Sequence, residues 1–191
     1  MKESDLNRIL IHANRAKGIA RRYFVTNGFD GALTMLGLMM AFASRENVDI
    51  SVAITACLGA AIALFMSGIS SAYLSETAER KKELRDLEGA LLDDLSESDY
   101  GKASRYVPVL VALVNGLSPL LIALLIITPL WLTQAGITLP LSPFVAAIIL
   151  AMTIIFLLGV MLGTLSKDFW LWTALRTLAI AGVTLLVISL V

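Results

Sequence analysis

The sequence predicts an all-α, polytopic membrane protein with five transmembrane helices, its N-terminus in the cytoplasm and its C-terminus outside. Three observations lead to this fold class. First, 58% of the 191 residues are hydrophobic and the mean hydropathy is +0.82, which is rare for a soluble domain. Second, apolar stretches recur that are long enough to cross a bilayer. Third, charge concentrates in residues 1–22 and 75–105, so we treat residues 1–191 as a single membrane domain.

Positive charge predicts the orientation of the spans. Residues 1–22 and residues 75–105 each contain six Lys and Arg, whereas the two opposite loops have only Arg45 between them. The positive-inside rule therefore places both basic segments in the cytoplasm and the C-terminus outside. We expect an integral membrane protein in contact with lipids, in the cell membrane if the source is prokaryotic. The formal net charge is zero, so we expect no nucleic-acid partner.

Residues 1–22 are predicted to form an amphipathic interfacial helix. Leucine, isoleucine and alanine side chains share one helical face, opposite Arg8, Arg15 and Arg22. A basic amphipathic helix of this kind lies along an anionic membrane surface. His12 borders the apolar face, and we interpret it as an interfacial polar residue rather than a metal ligand.

The first span, residues 23–44, contains a carboxylate. Asp30 lies about seven residues into the span, roughly 10 Å below the membrane surface. An unpaired carboxylate at that depth costs about 2.5–3.5 kcal/mol, so Asp30 is expected to face protein or water and to have a function. Polar and small residues share its helical face at spacings of three and four: Asn27, Asp30, Thr34, Gly37 and Ala41.

The second span, residues 50–74, has a stripe of small residues along one face. The stripe consists of Ala56, Gly59, Ala63, Ser67 and Ser70. Small side chains let two helices approach closely within a membrane. Two such stripes on consecutive spans predict that the first two spans pack against each other or across a dimer interface.

Residues 75–105 are predicted to be a cytoplasmic, charged helical segment that continues from the second span. Glu76, Glu79 and Glu83 fall on one helical face. One interpretation is a solvated surface with ordinary pairs four residues apart, such as Glu76 with Arg80. The other interpretation is a site for a hard divalent cation, which carboxylates at this spacing could bind.

The last three spans are predicted at residues 107–132, 142–165 and 169–191. Pro119 lies inside the third span, where its missing N–H predicts a kink. Gly159 and Gly163 form a GxxxG pattern in the fourth span, which we interpret as helix packing.

Four of the predicted spans carry polar residues at a similar depth of roughly 10 Å. The predicted transport pathway contains Asn27, Asp30, Thr34, Ser67, Ser70, Ser71, Asn115 and Arg176. In one interpretation Asp30 and Arg176 form a structural ion pair; in the other, Asp30 binds a cation or proton. Five spans do not divide into two equal inverted repeats, so a two-fold homodimer would supply the central pathway.

Two short motifs resemble the vacuolar iron transporter family. Asp30-Gly31, near the start of the first span and after a basic helix with a lone His, is similar to that family's Asp-Gly-Leu-Thr run. Gly68-Ile69-Ser70-Ser71-Ala72, followed by Ser75-Glu76, is similar to the family's Ala-Ile-Ser-Met-Ala-x-Gly-Glu-Tyr. The span count, the orientation, the charged segment and an Arg early in the fifth span also agree. The resemblance covers most of the chain.

The resemblance implies a homodimeric antiporter that exports Fe²⁺, with Mn²⁺ or related ions as further cargo, in exchange for protons. The pathway would lie between protomers, with Asp30 at its centre and Glu76, Glu79 and Glu83 as part of a metal-binding site. Two departures stand out. Ser71 replaces the family's pathway methionine, and the charged segment is short and contains no methionine.

We therefore expect an ion transporter rather than an enzyme, with no catalytic residues and no tightly bound cofactor. Divalent cations and protons are the expected partners. Two alternatives remain open at this point. One is a membrane scaffold without transport activity, in which Asp30 and Arg176 form a structural pair. The other is a transporter of another cation or of a small polar solute.

Overall fold

The computed structural model describes the backbone of residues 3–190 and, continuously, the side chains of residues 21–190. Five α-helices follow one another along the chain: α1 (Glu3–Ala43), α2 (Ile50–Leu91), α3 (Asp99–Gln134), α4 (Pro143–Ser166) and α5 (Trp170–Ser189). Residues 3–190 contain no β-strand. The predicted all-α class is confirmed.

Four helices, α2 to α5, are long and apolar enough to cross a membrane. The chain therefore has the character of an integral membrane protein. α1 is not among the four, because Asn27 and Asp30 interrupt its apolar part.

α1 is one continuous helix, although two separate segments were expected at residues 1–22 and 23–44. No proline occurs in residues 3–43, and Gly18 is the only glycine before Gly28, so nothing in the backbone breaks the helix between them. The predicted amphipathic face of residues 1–22, including His12, lies almost entirely outside the described side chains.

Local capping explains where the other helices begin. The Asp49 carboxylate accepts a hydrogen bond from the Ser51 amide at 2.7 Å, which caps α2. This bond and the Ser51 side chain hold the pKa of Asp49 below its usual range. The Ser98 hydroxyl accepts from the Gly101 amide at 3.1 Å to cap α3. Ser142 caps α4, whose first residue is Pro143.

Helices α2 and α3 form a long antiparallel hairpin joined by residues 92–98. They approach closely because glycines lie where they cross: a Cβ atom on Gly116 would come 2.7 Å from the carbonyl oxygen of Phe65. Gly68 lies against the same turn of α3. α2 continues beyond its apolar part to Leu91, as predicted, but the predicted charged segment 75–105 is not one helix, because α3 already begins at Asp99.

Helices α4 and α5 pack through the predicted GxxxG pattern. A Cβ atom on Gly159 would come 2.8 Å from the Ala174 Cα, and one on Gly163 would come 2.7 Å from the Trp170 Cα. Larger residues at these positions would separate the two helices. The interpretation of this pattern as helix packing is confirmed.

Helix α3 lies at the centre of the molecule. In its most apolar stretch 56% of the residues are buried, compared with 22%, 33% and 17% in α2, α4 and α5. The main core is formed around Met35, Leu36 and Met39 of α1, and Ile126, Ile127 and Leu130 of α3. α2 packs mainly on α3, and α1 packs on both α3 and α4.

The two small-residue stripes do not pack against each other within one chain. All five residues of the α2 stripe are exposed, and a Cβ atom on Gly59 would have no neighbour within 4 Å. On α1, Asp30 and Ala41 are exposed, whereas Gly37 packs against Ile188 of α5. The prediction that the α1 and α2 stripes pack against each other inside the protomer is therefore wrong, because α3 contacts both helices on their other faces. Packing across a dimer stays a prediction.

Candidate ion pathway

A hydrogen-bond network between two amide side chains connects three helices. Asn27 Nδ2 donates to Asn115 Oδ1 and, at 2.9 Å, to the carbonyl oxygen of Tyr23. Asn115 Nδ2 donates to the carbonyl oxygen of Gly68 at 2.9 Å. Asn115 is buried, so these bonds replace those that water would make. Two predicted pathway residues, Asn27 and Asn115, thus contact each other and join α1, α2 and α3.

Pro119 leaves one backbone carbonyl of α3 without its helical hydrogen bond next to this network. Its missing N–H leaves the Asn115 carbonyl without its helical donor. That carbonyl lies against Gly68, where a Cβ atom would be 3.1 Å away. The Ser118 hydroxyl donates across to the Phe24 carbonyl of α1. α3 nevertheless continues through Pro119 as a single helix.

Asp30 lies one turn after Asn27 but on the exposed surface of α1. Among the side chains described, the salt bridges within 4 Å involve Arg80 only, with Glu76 and Glu83. Asp30 and Arg176 therefore form no ion pair within the chain. The interpretation of Asp30 and Arg176 as a structural ion pair within one protomer is therefore wrong. Arg176 lies on the exposed side of α5 and contributes to a separate cavity.

The predicted serines of α2 share the exposure of Asp30. Ser67, Ser70 and Ser71 are all exposed, and Ser71 donates to the carbonyl of Gly68 at 3.4 Å. Thr34 is half-buried on α1. Six of the predicted pathway residues thus form two groups. Asn27 and Asn115 lie inside the helix packing, whereas Asp30 and the three serines face outward from α1 and α2.

The acidic face of α2 is occupied by an arginine. Arg80 lies between Glu76, at 3.6 Å from its Nε, and Glu83, at 2.9 Å from its Nη1. Glu79 is exposed. Within residues 21–190 no three His, Cys, Asp or Glu side chains come together in a way that could hold a metal ion. One protomer therefore does not assemble Glu76, Glu79 and Glu83 into a site.

Two tyrosines extend this ion pair to the neighbouring helices. Tyr23 of α1 donates to Glu76 at 3.2 Å, and Tyr100 of α3 donates to Glu83 at 3.0 Å. Partial burial, and then the hydrogen bond and negative charge of Glu83, raise the pKa of Tyr100 above its ordinary value. Neither tyrosine belongs to the site predicted from the sequence. Neither lies at helical spacing from the glutamates, so only the packing of three helices brings them there.

Comparison with known proteins finds one relative of substantial coverage. The chain is 30% identical over 150 residues to the uncharacterized protein MJ0645 of Methanocaldococcus jannaschii, over 77% of this chain and 75% of that protein. The two proteins belong to one family. No protein-family profile matches the chain, and no solved structure matches it. The relative's name states no activity, so the resemblance to vacuolar iron transporters stays a prediction.

Proposed function

We propose that the protein is a homodimeric antiporter that moves Fe²⁺ or Mn²⁺ out of the cytosol in exchange for protons. The observation that supports this most is the position of Asp30. Its carboxylate is exposed on α1 and has no cationic partner among the described side chains. A carboxylate inside a membrane span requires protein or water around it, and a second protomer would supply both.

The topology proposed has α1 as a fifth span, with the N-terminus in the cytoplasm and the C-terminus outside. Support comes from the packing of α1, whose Ala32, Met35, Leu36 and Met39 are completely buried among α3, α4 and α5. A helix that shares a core with apolar membrane-length helices lies in the same layer. The positive charges of residues 1–22 and 75–105 support the orientation.

The pathway proposed lies on the two-fold axis between protomers. The exposed small and hydroxyl residues of α2 and the face of α1 around Asp30 are poorly suited to lipid, but they suit a close helix interface that encloses water. Two ionised copies of Asp30 near the axis would repel each other, and either a bound metal ion or a bound proton would relieve this repulsion. Metal and protons would then compete for the same carboxylates, and this competition couples their movements.

The oxygen ligands proposed for the pathway are compatible with Mn²⁺ and Fe²⁺, but they do not by themselves select these ions from Mg²⁺ or Ca²⁺. Carboxylate and hydroxyl oxygens suit hard or borderline cations. Ser71 provides no soft ligand, but Met66 is exposed on the same helix, about one turn away. Met66 is therefore the methionine of α2 placed to contribute a thioether from the outward face.

The test is metal uptake by liposomes that contain the purified protein, with internal pH recorded at the same time. We expect proton counterflow only when Fe²⁺ or Mn²⁺ is supplied, and background uptake for Asp30→Asn, which keeps the shape but loses the charge. Asp49→Asn is the matched control because asparagine retains the helix cap. A stable Asp30→Asn dimer with normal coupled transport would refute the assignment of Asp30. No flux of any cation through the wild-type protein would favour the scaffold.

A further inference from the structure

A cavity lies at the start of α5, apart from the pathway residues of α1 and α2. It has a volume of about 290 Å³ and is lined by Asp168, Phe169, Trp172, Thr173 and Arg176. One anionic and one cationic side chain therefore line the same cavity. Asp168 and Arg176 form no salt bridge with each other; the salt bridges among the described side chains all involve Arg80.

An apolar track continues from this cavity along α5. Ile180, Val183 and Val187 follow Arg176 at spacings of four, three and four, so they share its helical face. Their exposed fractions are 57%, 59% and 56%, so none of the side chains of residues 21–190 covers this face. Phe169 and Trp172, also exposed, lie at the other end of the same face. The surface thus has a charged part, an aromatic belt and a hydrocarbon track in sequence.

An anion at this position would stabilise Arg176. It lies about 9 Å along an apolar helix that begins at Trp170. A helical side chain leans towards the N-terminus, so the guanidinium is directed towards Thr173 and the aromatic end of the face. In the membrane topology proposed above, this places the guanidinium within reach of phospholipid phosphates, which arginine binds through two parallel hydrogen bonds. The uncapped first turn of α5 adds partial positive charge.

We propose that the α5 cavity binds one glycerophospholipid whose headgroup ends in an ammonium group. Arg176 binds the phosphate, Asp168 binds the ammonium, and an acyl chain lies along Ile180, Val183 and Val187. Charge complementarity selects this headgroup, because a purely anionic headgroup would leave Asp168 facing another negative charge. The proposal takes Arg176 out of the predicted pathway and rests on the same membrane topology, but the site shares no residue with the transport proposed for α1 and α2.

Native mass spectrometry of the full-length protein in detergent tests this, with phosphatidylethanolamine, phosphatidylglycerol and phosphatidylcholine added in equal amounts. We expect phosphatidylethanolamine to be retained best, because phosphatidylglycerol lacks the cation and the trimethylammonium of phosphatidylcholine has no N–H to donate to Asp168. Arg176→Gln should weaken its binding about tenfold or more, since a charged hydrogen bond is lost. Arg176→Lys should restore part of it. Asp168→Asn should remove the preference over phosphatidylglycerol. Lys167→Gln, a neighbouring cation outside the cavity, should bind as the wild type does.

Three results would overturn the proposal. One is equal retention of all three lipids by the wild type, or unchanged retention by a folded Arg176→Gln protein. The second is displacement of the lipid by glycerophosphoethanolamine or inorganic phosphate at equal concentration, which would indicate a site for a soluble phosphate. The third is efficient disulfide cross-linking of Val183→Cys between protomers in membranes, which would show that a second copy covers the track. The native Cys57 is buried and does not interfere.

Discussion

Individual polar residues hold the three-helix crossing together. The Asn27 and Asn115 amides, the Ser118 hydroxyl and the carbonyls of Gly68 and Phe24 are hydrogen-bonded to one another within the helix packing. A side chain also satisfies a carbonyl that a proline leaves without a helical donor. Pro129 cannot donate to the carbonyl of Leu125, which instead accepts from the Thr128 hydroxyl at 2.7 Å. Helix association in a membrane depends on such bonds and on close packing.

Asn115→Ala should lower the free energy of unfolding, because it leaves Asn27 Nδ2 and the Gly68 carbonyl without their shared partner. Interhelical hydrogen bonds in membranes contribute about 0.6–1.7 kcal/mol, which gives the expected loss. Thr153→Ala is the control, since Thr153 is exposed and donates only within α4, to Ile149. Unfolding in mixed micelles followed by circular dichroism measures both. Equal stability of the two variants would show that the network contributes nothing.

Gly31→Ala should be more harmful than its size suggests. The added Cβ would come 2.6 Å from the carbonyl oxygen and 2.7 Å from the Cα of Pro119, and backbone cannot move aside as a flexible side chain does. Overpacking of this kind typically costs about 1–3 kcal/mol. Gly59→Ala, where the Cβ meets no atom within 4 Å, should leave the protomer unaffected. Thermal stability of the two purified proteins provides the comparison.

At the scale of elements, the α2–α3 hairpin is tied to α1 by an ion pair with tyrosines at both ends. The single positive charge of Arg80 offsets one of the two negative charges of Glu76 and Glu83, and Arg80 competes with any cation that binds there. The short charged segment therefore holds its own counter-ion. This feature explains why three glutamates at suitable spacing do not form a metal site in one protomer.

Arg80→Gln should expose this acidic face to cations. We expect Mn²⁺ to bind several-fold more tightly than to the wild type, since the variant removes a positive charge about 3 Å from Glu83. Adding Glu76→Gln and Glu83→Gln should abolish the gain. Isothermal titration calorimetry of the full chain measures the affinities, with Lys81→Gln, an exposed neighbour, as the control for net charge. An equal gain in Lys81→Gln would mean that only the overall charge matters.

At the scale of the whole molecule, one chain leaves a continuous small-residue surface uncovered on α2. Gly37, expected to belong to the same interface, packs instead against Ile188 of its own chain at 3.1 Å from its added Cβ. Ala63 is therefore the sharper probe of a dimer interface, because it is exposed and its replacement does not disturb the protomer.

Ala63→Leu should weaken the dimer proposed, because a bulky side chain prevents close approach of two α2 helices. Cross-linking in native membranes measures the dimer yield. Ile149→Phe enlarges a side chain on the exposed face of α4, which lies outside the proposed interface, and serves as the control. A dimer yield unchanged by Ala63→Leu would exclude the α2 stripe as the interface.

The amino-acid sequence by itself determined the helical class, four helices of membrane length and their approximate ends, because apolar runs, caps and prolines act locally. It also singled out Asn27 and the glycine pair of α4 through helical spacing, and Asn115 through its depth in the third span. Only the tertiary structure decided that α3 is the central helix, that Asp30 and Arg176 are apart, and that Arg80 occupies the acidic face. Helical spacing tells which residues share a face, but not which neighbouring helix covers that face. That choice depends on close contacts between distant glycines, such as Gly31 with Pro119 and Gly68 with Gly116, which exist only once the helices are packed.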